Sequence, residues 1–243
     1  MSNESGDLKL LANFRKLIDL VSADTNYRPA NVRLKLTTLE PQHAAGVTAA
    51  HDVPAKLATN MTAISDREAA FGDVNSFMSR VHALAKASGA SAEQLEDLNT
   101  FKRKLISKRK AKTKVVAAAA GETPTAEKQR SSAQMSYDNQ VGHVRGYLSV
   151  LGTMSSYNPN EADLKLPALN DLVDNLQAKN DAVSSTFVPL SQARGVRDQL
   201  LYQADNSVVN TALLAKAYVK AAFGPDSQLY KQIKGLEFKR RGR

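Results

Sequence analysis

The feature that most constrains this chain is an internal repeat at an offset of 130 residues, which aligns its two halves without a gap. Tyr27-x-Pro29-x-x-x-x-Leu34-Lys35-Leu36 faces Tyr157-x-Pro159-x-x-x-x-Leu164-Lys165-Leu166. Leu39, Val53, Ala63 and Arg67 match Leu169, Val183, Ala193 and Arg197, and Leu84-Ala-Lys-Ala87 matches Leu214-Ala-Lys-Ala217. With Arg15 on Arg145 this makes 14 identities over positions 14–88, where ordinary composition gives about five by chance. A chain that repeats at this period must satisfy one folding pattern twice.

That pattern is helical. Leu10, Leu11, Phe14, Leu17, Ile18 and Val21 form one stripe over about 8–22, and its counterpart covers about 138–153. A longer seam follows, alternating steps of four and three. It runs through Leu39, His43, Gly46, Ala50, Val53, Leu57, Asn60, Ile64, Arg67 and Phe71, and through Leu169, Val173, Leu176, Asn180, Val183, Phe187, Leu190, Arg194, Arg197 and Leu201. A helix with that seam is about 50 Å long at about 1.5 Å per residue and wants a nearly parallel or antiparallel partner. Pro54 and Pro189 fall inside it and are expected to kink or break it. Asn158-Pro159 and Asn160 to Asp163 read as helix-start chemistry. A third helix spans about 73–88 and 206–222, closed by Gly89 and Gly224. A fourth, basic helix begins at a Ser91-x-x-Gln94 capping box, and its copy near Asp226. No stretch alternates as a strand does.

The expected fold is therefore all-α: two tandem copies of one helical unit, each with a long kinked helix, packed as a pseudo-two-fold bundle. The repeats are placed at 1–110 and 135–243, with a linker at 111–134 that is helical at most in its Ala-rich start. The Tyr157 to Leu169 segment and the stretch from Leu214 to Ile233 resemble a group of uncharacterised, duplicated all-helical bacterial proteins with a Tyr-x-Pro motif ahead of a helix. The resemblance implies a fold and no activity.

Composition removes several functions. Cysteine is absent, so disulfides and thiolate metal sites are excluded. No apolar run is long enough to span a bilayer. Met1 to Asp7 lacks the basic-then-apolar order of a secretory signal, which makes a cytoplasmic protein the expectation, with export by another route left open. Glu40-x-x-His43 has the spacing used in carboxylate di-metal bundles, but the second half has Asn170 and Val173 there. His43, His51, His82 and His143 are otherwise scattered, so no metal, cofactor or catalytic set is expected.

Charge is the informative remainder. Lys102, Arg103, Lys104, Lys108, Arg109, Lys110, Lys112 and Lys114 carry eight positive charges with no acid among them. The last segment, Lys231 to Arg243, has a net charge of +5, and the rest of the chain is −4. Both clusters end a repeat. The candidate anion-binding residues are Lys102, Arg103, Lys104, Lys108, Arg109, Lys110, Lys239, Arg240 and Arg241; the matched seam arginines Arg67 and Arg197 are a candidate interface or ion pair. A charge run is commonly a solvated face, and Lys or Arg near a helix C-terminus also meets the helix dipole favourably. The first functional expectation is a non-enzymatic structural or interaction protein that self-associates into an oligomer or assembly. The alternative is sequence-nonspecific binding of nucleic acid, or of another anionic partner, through the basic ends.

Overall fold

The computed structural model describes residues 4–106 and 136–240. The linker at 111–134, Lys108, Arg109, Lys110 and Arg241 lie outside the described residues. The protein is all-helical. Helices α1 (Glu4–Ser22), α2 (Leu36–Gly72), α3 (Val74–Ala87) and α4 (Ala92–Ile106) are followed by α5 (Tyr137–Leu151), α6 (Leu166–Asp198), α7 (Val208–Phe223) and α8 (Gln228–Lys234). Short 3-10 turns at Val32–Leu34 and Ala162–Leu164 precede α2 and α6, and α6 passes into one π turn at Gln199–Gln203. No strand occurs among the described residues, and no helix among them is long and apolar enough to cross a membrane.

The apolar stripe of α1 is buried along its whole length, from Leu10 at 6% exposure to Phe14 and Leu17 at 0%. On α5 the corresponding stripe is Val141, Val144, Tyr147, Leu148 and Leu151. Each Tyr-x-Pro element is a clamp. The Tyr27 hydroxyl donates to the Leu34 carbonyl at 2.9 Å, and the Tyr157 hydroxyl donates to the Leu164 carbonyl at 2.7 Å. Both rings are buried and pin the 3-10 turn that aims the following helix. The Asn158–Asp163 segment is accordingly not a helix start. The tyrosine clamp holds it as loop and 3-10 turn, and α6 begins at Leu166, where Pro167 occupies the first turn.

Neither internal proline breaks its helix. Pro54 and Pro189 sit within continuous, bent helices. Each removes one backbone hydrogen bond, and buried neighbours, Val53 beside Pro54 and Leu190 beside Pro189, hold the turn in place. The capping expectations hold at residue level. The Ser91 hydroxyl accepts from the Gln94 N–H at 3.2 Å while the Gln94 side chain accepts from the Ser91 N–H at 2.9 Å. Gly89 and Gly224 take φ of 84° and 87°, the left-handed region open to glycine. The cap of α8 is Ser227, one residue beyond Asp226.

Packing divides the chain into two compact units that cut across the sequence halves 1–110 and 135–243. Unit 1 is Met1–Met61 with Ser185–Arg243, and unit 2 is Thr62–Ser184. In unit 1, α1 packs on α7 and α8, and its core joins Phe14, Leu17 and Ile18 to Val208, Ala212 and Val219. The first part of α2 lies antiparallel to the last part of α6: Val53 packs with Leu190 and Ala193, and the Asn60 amide donates to the Thr186 hydroxyl at 3.0 Å. In unit 2, α4 packs between α3 and α5, and its core joins Met78, Val81, Leu98 and Leu105 to Val144, Tyr147 and Leu151. There the last part of α2 meets the first part of α6: Lys179 pairs with Asp66 at 2.9 Å and Arg67 donates to Asn180 at 3.2 Å. The seam is followed closely on α2. On α6 it slips, since Phe187 and Arg194 are exposed while Thr186 and Ala193 face inward. A strict seven-residue seam drifts by about 20° per heptad on a straight helix, which is enough to exchange these neighbours.

Candidate interaction sites

The basic end of unit 2 is the last turn of α4. Its apolar face is Phe101, half-buried, and Leu105, fully buried. Lys102 is half-buried, and Arg103 and Lys104 are exposed. Arg103 pairs with Glu96 at 2.9 Å, and the Lys104 ammonium lies 5.5 Å from the Phe101 ring centroid. Gly146 on α5 gives Phe101 its place, because a Cβ there would lie 2.3 Å from the ring.

The basic end of unit 1 is built differently. α8 stops at Lys234, and the chain continues as an extended tail whose Leu236 and Phe238 are buried. Lys216 on α7 donates to the carbonyls of Lys234 and Leu236, both at 2.9 Å, and Asn13 donates to the Glu237 carbonyl at 3.1 Å. Burial lowers the Lys216 pKa. Lys239 and Arg240 follow this anchored stretch and are exposed, with Lys239 3.4 Å from Glu237.

The two seam arginines are engaged inside their own units, in different ways. Arg197 is 8% exposed. Its Nε is 3.4 Å from Asp7, and its Nη2 is 2.8 Å from Asp198. Asp7 is 2% exposed and also accepts from the Tyr202 hydroxyl. Arg67 instead stacks 4.0 Å over the Tyr137 ring and donates to Asn180, whose amide donates to Asp138. The offset that pairs Arg67 with Arg197 also pairs Tyr137 with Asp7. The same arginine therefore meets a carboxylate in one unit and an aromatic face in the other. Nothing in the charge pattern singles out Asp7. Its one sequence signal is position, three and four residues ahead of the buried Leu10 and Leu11 on the same helix face.

The histidines do not converge. His43 lies beside the Phe14 ring, and His51 is exposed. His82 of α3 approaches the buried Tyr147 hydroxyl through Nδ1 at 3.2 Å. His143 of α5 is buried, and its Nε2 has no hydrogen-bond partner among the described residues. Burial lowers the pKa of His43, His82 and His143, with Arg15, Lys102 and Lys104 respectively the next cause. No group of three or more metal-ligating side chains occurs among the described residues. Compared with family models, curated proteins and solved structures, the chain matches none.

Apolar exposure is concentrated. Among the described residues seven large apolar side chains stand out into solvent, and three of them, Met61, Phe187 and Val188 at 59%, 54% and 54%, fall within two residues of the Asn60–Thr186 hydrogen bond.

Proposed function

We propose that this chain is a non-enzymatic interaction protein that associates with further copies of itself, and that it arose by duplication of one helical unit of roughly a hundred residues. Two paired features support the duplication: the ungapped sequence register, and the two tyrosine clamps with the same donor and acceptor positions.

The observation that carries self-association is the exposed group Met61, Phe187 and Val188. Single exposed apolar residues are ordinary, but three beside one packed contact form the start of a docking patch. Charge adds to it. The cationic turn of α4 and the exposed Lys239 and Arg240 are opposite in sign to exposed Glu161, ahead of α6, and exposed Asp171 and Asp181 on it. Copies joined by such contacts build a closed ring or an open filament according to their rotation.

The test is the mass of purified, nuclease-treated protein by light scattering across concentration, at low and high salt. The expected result is an assembly that shrinks when Phe187 and Val188 are replaced by Ser. A monomer at every concentration and salt would refute the reading. The exposed cations Arg103, Lys104, Lys239 and Arg240 favour a second reading, sequence-nonspecific nucleic-acid binding.

A further inference from the structure

We propose that unit 2 carries a phosphate-accepting site between α3 and α4, made by His82, Lys86 and Lys102. The Tyr147 hydroxyl is fully buried, burial raises its pKa, and its oxygen lies 3.2 Å from His82 Nδ1. With the tyrosine as the donor in that pair, the neutral imidazole carries its proton on Nε2. When the ring is protonated, Nδ1–H donates back to the tyrosine oxygen and Nε2 keeps its own proton. In both states an N–H is left for a ligand on the side away from the core.

Lys86 lies one turn further along the same face of α3, and Lys102 comes from the packed face of α4. These are the two charges that act on His82, and no carboxylate balances them. Two nearby acids are already matched: Asp163 with Arg80 of α3, and Glu96 with Arg103 of α4. Neither Lys86 nor Lys102 forms an ion pair among the described residues. Lys86 also faces the negative end of the α3 dipole, so Lys102 and the imidazole supply the net positive potential.

Unit 1 shows what this position does when an oxygen acceptor is supplied by the chain itself. The residue matched to Lys86 is Lys216, whose ammonium donates to two carbonyl oxygens at 2.9 Å. The residues matched to His82 and Lys102 are Ala212 and Gln232, so unit 1 lacks the other two donors. In unit 2 a tetrahedral oxyanion takes the acceptor role, receiving charge-assisted hydrogen bonds from two ammonium groups and one from Nε2–H. The ligand chemistry is a phosphate group, either free or in a nucleic-acid backbone. The site deepens the second functional reading but shares only Lys102 with the basic ends.

The experiment is an NMR titration of the full chain, following the four imidazoles with inorganic phosphate and, separately, with a single-stranded oligonucleotide. Protein concentration is held where light scattering shows constant mass. The expected result is a saturable change at His82 alone, an upward shift of its titration midpoint, and at least about tenfold weaker binding in K86A. Saturation by phosphate without oligonucleotide binding keeps the site and assigns it to free phosphate, while ending the nucleic-acid reading. Tighter oligonucleotide binding that K86A weakens assigns it to the backbone. Oligonucleotide binding that leaves His82 unmoved and is indifferent to K86A overturns the site and leaves the basic ends standing. Equal movement of all four histidines also overturns it, as ionic strength alone does that.

Discussion

Replacing Arg197 by Met should unfold unit 1 far more readily than the matched change at Arg67 unfolds unit 2. Asp7 and the Arg197 side chain are 2% and 9% exposed, so neither charge is solvated once its partner is gone. Breaking such a buried pair costs about 3–5 kcal/mol, chiefly because an uncompensated charge stays behind. With urea slopes of about 1–3 kcal/mol/M, the midpoint for unit 1 falls by about 1–5 M. The Arg67 guanidinium rests on the half-buried Tyr137 ring and makes one hydrogen bond to an amide. A cation–π contact of about 0.5–2 kcal/mol and a hydrogen bond of about 1 kcal/mol set its loss at about 1–3 kcal/mol. Asp7→Asn falls between the two, because Asp198 remains 2.8 Å from Arg197. The double variant D7L/R197M should cost less than R197M alone, since an apolar pair replaces a charge left without its counterion. Urea unfolding followed by far-ultraviolet circular dichroism measures all four variants. If R197M matched wild type within about 1 kcal/mol, or if the double variant were less stable than R197M alone, the buried-pair argument would fail.

Gly146→Ala should destabilise unit 2 by about 1–2 kcal/mol. The new Cβ would lie 2.3 Å from a Phe101 ring carbon, where about 3.5–4.0 Å is the favourable separation, and better helix propensity offsets part of the overpacking. F101L in the same chain should recover most of the loss; a G146A variant as stable as wild type would show that α4 yields freely. His143 makes unit 2 acid-sensitive. Its folded pKa is lowered by burial and then by Lys104, so below about pH 6.5 the unfolded imidazole takes a proton first and stability is lost until pH drops through the folded value. The urea midpoint of unit 2 should therefore be lower at about pH 5 than at about pH 7.5, and His143→Asn, the residue found at matched Asn13, should reduce that dependence, with His82 carrying the rest. An unchanged pH profile in the variant would place the sensitivity elsewhere.

What was legible in the sequence followed from local chemistry. The α1 stripe, the Ser91–Gln94 box and the two glycine stops each depend on residues within a turn or two, and each is found where local rules put it. The start of α6 was misplaced because Asn158-Pro159 obeys the same local rules as a true helix start. The hydrogen bond that overrides it, from Tyr157 to Leu164, needs a ring packed in a core. The candidate site residues divide the same way. The charge runs could be counted, but the pairing of Arg197 with Asp7 joins positions 190 residues apart, and no local signal encodes that.

The division into units explains why the seam residues matter more than the repeat boundary. A repeat that closed on itself would place α1, both parts of α2, α3 and α4 in one core. Instead α1 and the first part of α2 share a unit with the last part of α6, α7 and α8, while the rest of α2 joins α3, α4, α5 and the first part of α6. Each unit thus draws its two parts from opposite halves of the sequence. The α2 seam meets α6 at Val53 and Asn60 in unit 1 and at Arg67 in unit 2, the Gly46 position faces Leu11, Leu201 and Val208, and both large cores draw on both halves of the sequence. That arrangement is what two copies of the proposed ancestral unit would build as a dimer, with each partner lending its terminal helices to the other. Under the proposed duplication, fusion would keep the contacts and remove the need for an encounter. It would also free the matched positions, which now differ: carboxylate against aromatic ring at Asp7 and Tyr137, Ala212 against His82, Lys216 bound to its own chain against Lys86 facing solvent. The proposed phosphate site lies at one such divergence, on a position whose copy already binds oxygen.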